Sequence, residues 1–313
     1  MANDYSTMMD LGLIHFMAYP VIRDDNPELT LETLKKIAVD DFFQLAEVRP
    51  SEHAEVTEGM KAIAANSKLG LGVGAQPLLL LNKLSVNDPD EAGRKAAIEQ
   101  VKIGIDTSYD FGSPICAFLS GPDVENDADR DHAMDLLVES CVELCEYSKS
   151  QAGDGEPVWL SLEQFDAEID KRCLIGPSPR AADLAERVKD QVENFGLTQD
   201  LSHMPLLGEL PQDMLTPTVD HLIHVHVGNC LMSDAEAEAY GDKHPGFGYP
   251  GSETDVEELA RFLETLIYTG YFEKDLPSAK PIVSFEVAPM SGEDSDLLVA
   301  GTKRAFLQAW AML

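Results

Sequence analysis

Four short segments of this 313-residue chain end an apolar, β-forming run on a side chain that can bind a cation or move a proton. They read VWLSLEQFD, ending at Glu163; LTQDLSHMP, with Asp200 and His203; LIHVHVGN, with His224 and His226; and IVSFEVAP, with Glu286. Strand side chains alternate between faces, so Trp159, Ser161 and Glu163 share one side, as do Ser284 and Glu286. Each glutamate is the last member of its row. Burying such a carboxylate unpaired is costly, and one cation coordinating all four groups offsets that cost. Glu163, Asp200, Glu286 and His226 make a hard, mostly oxygen donor set, suited to Mn²⁺, Mg²⁺ or Co²⁺ and tolerable for Zn²⁺. His224 has the parity of His226 but lies one layer deeper, which fits a packed, hydrogen-bonded histidine better than a ligand.

The elements that must position these groups alternate along the chain. Short β-forming runs are separated by longer stretches of helical period, the pattern of βα units around a parallel sheet. Eight candidate strands centre on Leu11–Ala18, Phe42–Val48, Leu71–Gln76, Ile115–Ser120, Val158–Glu163, Leu197–Asp200, Leu222–Val227 and Ile282–Val287. Between them, spacings such as Val256, Leu259, Phe262, Leu263 and Leu266 predict helices with one apolar face, packed outside a barrel. No Pro- or Ser-rich linker divides the sequence, so residues 1–313 read as a single α/β domain, a (β/α)8 barrel. In such a barrel the active site lies at the carboxyl ends of the strands, where the four segments place their polar residues. The loop from Asn229 to Thr254, containing GDKHPGFGYPGS, is long for a compact domain, and such loops are usually functional or disordered.

Acidic residues outnumber basic ones 56 to 23, a formal charge of −33. That field repels polyanions at long range and disfavours DNA, RNA and acidic membranes as partners. Cys116, Cys141, Cys145, Cys173 and Cys230 are odd in number and lack C-x-x-C spacing, against both a disulfide framework and a thiolate zinc cluster. No apolar run approaches the roughly 20 residues that span a bilayer, and MANDYSTMMD does not resemble a signal peptide. A soluble, cytoplasmic location is expected. The sequence is compatible with a homo-oligomer without specifying one.

Taken in order, the L-E-x-x at Glu163, the D-x-x-H from Asp200 to His203, the H-x-H from His224 to His226 and the terminal-strand Glu286 resemble the sugar phosphate isomerase/epimerase superfamily. Its xylose isomerase-like barrels include ketose 3-epimerases, inosose dehydratases and abasic-site endonucleases, and the resemblance covers nearly the whole chain. It implies metal ligation by Glu163, Asp200, His226 and Glu286, and substrate contact by His203. Asp242 and His244 resemble a D-x-H that, in the endonuclease branch, joins the D-x-x-H histidine around an additional zinc, so a second ion at His203, Asp242 and His244 is an expectation of the same resemblance. That branch also draws histidines from earlier strands, where this chain reads GVGAQP and CAFLSGP. With the charge of −33, this departure argues against DNA incision.

Other candidates are weighed by position. Glu47 ends the second strand as a glutamate that, in some family members, faces substrate. His15 on the first strand lines the pocket or packs as a core histidine. Lys171, followed by Arg172, is the nearest cation for a substrate phosphate or carboxylate, although such pairs are more often solvated. Tyr240, Phe247 and Tyr249 form a lid over a sugar or anchor their loop. No basic residue lies within a few positions of Glu286, which disfavours a purely structural ion pair there.

The leading expectation is proton transfer next to the carbonyl of a carbohydrate substrate, through an enediolate. Glu163 and Glu286 would act as base and acid, His203 would polarise an oxygen, and Asp242 and His244 would position the rest. This gives isomerisation or epimerisation. A dehydratase acting on a keto-sugar or inositol derivative is the near alternative, ahead of a phosphodiesterase or a non-catalytic sugar-binding subunit.

Overall fold

The computed structural model describes residues 4–23 and 26–313. In chain order the elements are β1 (Asp10–Ile14), α1 (His15–Ala18), α2 (Pro27–Ala38), β2 (Leu45–Val48), α3 (Ala54–Ser67), β3 (Gly70–Gly74), α4 (Gln76–Asn82) and α5 (Glu91–Phe111). Then come β4 (Ile115–Leu119), α6 (Arg130–Ala152), β5 (Trp159–Glu163), α7 (Ser178–Lys189), β6 (Phe195–Asp200), α8 (His203–Leu207) and α9 (Pro211–Thr218). The last are β7 (Leu222–Gly228), α10 (Val256–Tyr268), β8 (Ile282–Glu286) and α11 (Ser295–Trp310). All eight strands pair in sequence order and β1 pairs in parallel with β8, closing a (β/α)8 barrel.

Strand parity decides where the core sits. Leu11 and Leu13, Ala46 and Val48, Val225 and Val227, and Val283 and Phe285 point outward and join one apolar cluster with Leu34, Phe262, Leu263 and Phe306 from the helices. Val73, Cys116, Phe118, Leu160, Leu162 and Leu197 do the same against Ile98, Leu137 and Leu184. The inward row holds Gly12, Gly72, Ala117, Ser161, Thr198 and Ser284, which leave space on the barrel axis. The predicted apolar face of α10 is buried at Leu259, Phe262, Leu263 and Leu266.

Three predicted strands run too long by more than one residue, each for a local reason; the second begins only at Leu45, because Asp41 and Phe42 lie in a turn where the Phe42 N–H donates to Oδ1 of Asp40. The first stops at Ile14, and His15–Ala18 turn into a short helix. The third stops at Gly74 because Gln76-Pro77 opens α4, with proline in its first turn where no N–H is needed. The sixth begins earlier than predicted, at Phe195, since Gly196 interrupts its β-forming pattern without breaking the strand.

All five cysteines are free and buried, in agreement with the absence of a disulfide framework. Among the described residues no helix is long and apolar enough to cross a membrane.

Candidate metal and active site

Closure of the barrel brings the ends of β5 to β8 onto one rim. In register, Glu163 lies opposite Thr198, Asp200 opposite His226, and Gly228 opposite Glu286. One potential ligand atom from each of Glu163, Asp200, His226 and Glu286 lies within 4.8 Å of the others, and all four residues are buried. The quartet read from the strand ends is therefore assembled at one point.

His226 sits at its centre. Its Nδ1 is 3.2 Å from Oε1 of Glu163 and 3.0 Å from Oε2 of Glu286, while its Nε2 is 3.2 Å from Oε2 of Glu47. Burial opposes charging the ring, but the carboxylates of Glu47 and Glu163 outweigh it and hold the imidazole well above its ordinary pKa. Asp200 is pushed the other way from most carboxylates: burial raises its pKa, against the partial relief given by His203 and His244.

Oδ2 of Asp200 is buried without a hydrogen bond. These crowded, buried carboxylates and the imidazole could hold a cation, and a set of three oxygen donors and one nitrogen fits a divalent ion.

A second network adjoins the first. Oδ1 of Asp242 is 3.1 Å from Nε2 of His203 and 2.8 Å from Nε2 of His244, and its Oδ2 is 2.9 Å from Nζ of Lys171. Burial opposes ionisation of Asp242, but His244, His203 and Lys171 hold its carboxyl well below the usual range. Burial likewise opposes charge on the two rings, yet Asp242 raises His203 to about 10, and Glu286 with Asp242 raises His244 to about 9. His244 itself adopts a left-handed backbone, φ 54°, a conformation that costs a branched-free but bulky residue of order 1–3 kcal/mol. The hydrogen bond from the Ala288 N–H to its carbonyl, 2.7 Å, ties this loop to the end of β8.

This arrangement changes several sequence expectations. Asp200, His203 and His244 converge closely enough to hold an ion, while Asp242 lies against the His203 and His244 imidazoles and the Lys171 ammonium. His203 is fully buried, its Nδ1 2.6 Å from the carbonyl of Gln164, so it supports Asp242 rather than presenting a free nitrogen to substrate. His15 does not line the pocket: at the start of α1, its Nε2 is 2.8 Å from Oγ1 of Thr33 on α2. Lys171 lines the pocket with its charge spent on Asp242, whereas Arg172 points to the carbonyl of Glu168. Phe247 packs on the outer core and Tyr249 on a small cluster around Leu231, so both anchor the long loop.

Above the quartet opens a cavity of about 360 Å³, bounded by Phe16, Met17, Phe165, Arg49, Lys171 and His244 among others. Small-molecule sites occupy this volume range. A larger groove of about 780 Å³ lies beside it between the loops after β3 and β4, but none of the converging ligand groups sits in it. Gln76 is the residue that sequence reading missed. Its Nε2 donates to Oε2 of Glu163 at 2.7 Å, and the signal was the polar end of GVGAQP, two residues beyond its strand at the first position of α4.

No curated protein sequence matches the chain. Among solved structures, an L-ribulose 3-epimerase superposes with a TM-score of 0.71 at 16% identity, over 97% of this chain and 95% of that one. A 3-keto-D-glucoside 4-epimerase from E. coli gives 0.65 at 14% identity, over 96% and 99%. The IolI protein with a bound zinc atom gives 0.67 at 14%, over 97% and 99%. At these identities the likeness establishes the fold. The xylose isomerase-like TIM barrel family matches residues 11–297, and together with the closed barrel this places the chain in that family.

Proposed function

We propose that the protein is a divalent-metal-dependent sugar isomerase or epimerase, with Glu163, Asp200, His226 and Glu286 holding the ion and the two glutamates moving protons. The observation that carries this reading is the convergence of those four side chains, within 4.8 Å of one another, beneath a cavity large enough for a monosaccharide. The sugar epimerases among the structural neighbours, and the zinc in one of them, support it.

When bound, a divalent ion supplies Lewis-acid polarisation of a carbonyl and its neighbouring hydroxyl. The chain's own residues do the rest. Glu163 and Glu286 come from strands separated by β6 and β7, so their carboxylates reach the cavity from two sides. One, as the carboxylate, removes the proton next to the carbonyl, and the other, as the carboxylic acid, delivers its own proton to the opposite face. The hydrogen bond from Gln76 holds Glu163 in place, and the second glutamate is held by an ionic contact, with Nε2 of His244 3.3 Å from Oε1 of Glu286. Phe16, Met17 and Phe165 exclude water from the apolar side of the cavity.

The test is to incubate Mn²⁺-loaded protein with a panel of free ketoses and keto-glycosides in deuterated water. An isomeric product carrying deuterium at one carbon is the expected result. Turnover accompanied by loss of water, or no exchange with any member of the panel, would overturn the assignment.

A further inference from the structure

Glu47, one residue before the end of β2, lines the floor of the cavity with both carboxylate oxygens turned toward imidazoles. Its Oε1 is 2.8 Å from Nε2 of His224 and its Oε2 is 3.2 Å from Nε2 of His226, and the side chain is 5% exposed. It reaches β7 through the barrel interior because the neighbouring strand carries Gly72 at the same level. A Cβ at Gly72 would stand 2.9 Å from Cγ of Glu47. The space that admits this side chain is therefore built into the inward row.

A carboxylate only accepts hydrogen bonds, so both imidazoles facing Glu47 must present an N–H at Nε2. A neutral ring has a single N–H, and a hydrogen bond at one nitrogen leaves the other with its lone pair. For His226 that other atom is Nδ1, which faces Glu163 and Glu286 and whose proton a bound cation would displace, leaving the remaining N–H at Nε2.

We infer that Glu47 is a positioning residue: it holds His226 in the Nε2–H tautomer and fixes its ring plane, so that Nδ1 faces the metal site. This rests on the metal assignment proposed above. Carboxylates that orient a ligating histidine are worth about 10- to 100-fold in metal affinity. Replacement by glutamine preserves the shape but turns one oxygen into an N–H donor. If that donor faces His226, the ring must move its proton to Nδ1 and the ligand atom is blocked.

The experiment uses the full chain. Mn²⁺ affinity is measured by titration calorimetry for the wild type and Glu47→Gln, and kcat and KM are measured at saturating Mn²⁺. Loss of about 10- to 100-fold in affinity, with KM for the sugar little changed once the site is loaded, is expected. Unchanged affinity with a raised KM would mean that Glu47 contacts substrate and would overturn the inference. The second measurement needs no variant: ¹⁵N NMR of the Zn²⁺-loaded wild type should show His226 protonated at Nε2, and a proton at Nδ1 sinks the idea even if Glu47→Gln fails to fold. Should the wild type take up neither Mn²⁺ nor Zn²⁺, the metal assignment itself fails and this inference goes with it.

Discussion

Replacing Glu163 by glutamine changes one charge in the quartet while keeping its volume, and the surroundings are prepared for it. Nε2 of Gln76 now donates to Oε2 of Glu163 at 2.7 Å, and Oε1 of Gln76 is buried without a partner. A flip of the Gln76 amide offers that oxygen to the new N–H group, so the fold has no reason to suffer. The ion does. Removing one unit of charge about 4 Å from a divalent ion is worth at least the unit-pair value of about 4 kcal/mol at an effective dielectric of about 20. At about 1.4 kcal/mol per decade, the predicted loss of Mn²⁺ affinity in Glu163→Gln is roughly a thousandfold. Loss of the proton-transferring group should lower kcat by roughly a hundredfold to ten-thousandfold even with the site saturated. Titration calorimetry gives the first number, turnover at excess Mn²⁺ the second, and thermal melts with and without Mn²⁺ the control. The ion-free variant should melt no lower than the ion-free wild type, because one of three crowded buried carboxylates has been neutralised. Wild-type affinity with an unaltered melting profile would refute the assignment of Glu163 as a ligand.

Three further outcomes are expected. Asp242→Ala strips a shared acceptor from His203, His244 and Lys171, and removing one partner of a buried ionic network should cost about 3–5 kcal/mol in denaturant unfolding; a loss below about 1 kcal/mol would show the network to be dispensable. Burial, aided by the charge of Arg49, depresses the pKa of His15 to about 3 from 6.5. As pH falls below 6.5 the unfolded chain takes up this proton before the folded one does, so wild-type stability drops by about 1.4 kcal/mol per pH unit, about 2 kcal/mol by pH 5. His15→Leu should flatten that acid slope by one proton, since the hydroxyl of Thr33 still donates to the carbonyl of Leu29 at 2.7 Å; identical slopes from pH 6.5 to 4 would disprove a neutral buried ring. Gly104 on α5 lies so close to β3 and β4 that a methyl there would stand 2.9 Å from Cβ of Ala75 and 3.0 Å from Sγ of Cys116, and Gly104→Ala should lose about 1–3 kcal/mol by overpacking; an undiminished melting temperature would mean the helix shifts freely.

Much of the site could be read before folding because its information is local. Each of Glu163, Asp200, His226 and Glu286 terminates an apolar run of period two, and that pattern alone says which way the side chain points and at which end of a parallel barrel it lies. The eight strands are legible for the same reason, alternation of β-forming runs with helical periods, and their larger errors fall at Ala18, Phe42 and Gln76, where turn chemistry rather than hydrophobicity sets the boundary.

What the sequence determined, then, was the fold class, the strands and the residues at their ends, since these follow from nearest-neighbour sterics and hydrophobic period. Only closure of the barrel decided who meets whom across it. Glu47 and His226 are 179 residues apart, as Gln76 and Glu163 are 87, and no local pattern distinguishes Glu47 bridging two imidazoles from Glu47 facing a sugar. His15 and His203 likewise carry the right chemistry at the right strand ends, yet Thr33 on one side and Asp242 with Gln164 on the other occupy their nitrogens. A hydrogen bond needs its partner within about 3 Å, and that distance is set by the packing of the whole ring of strands.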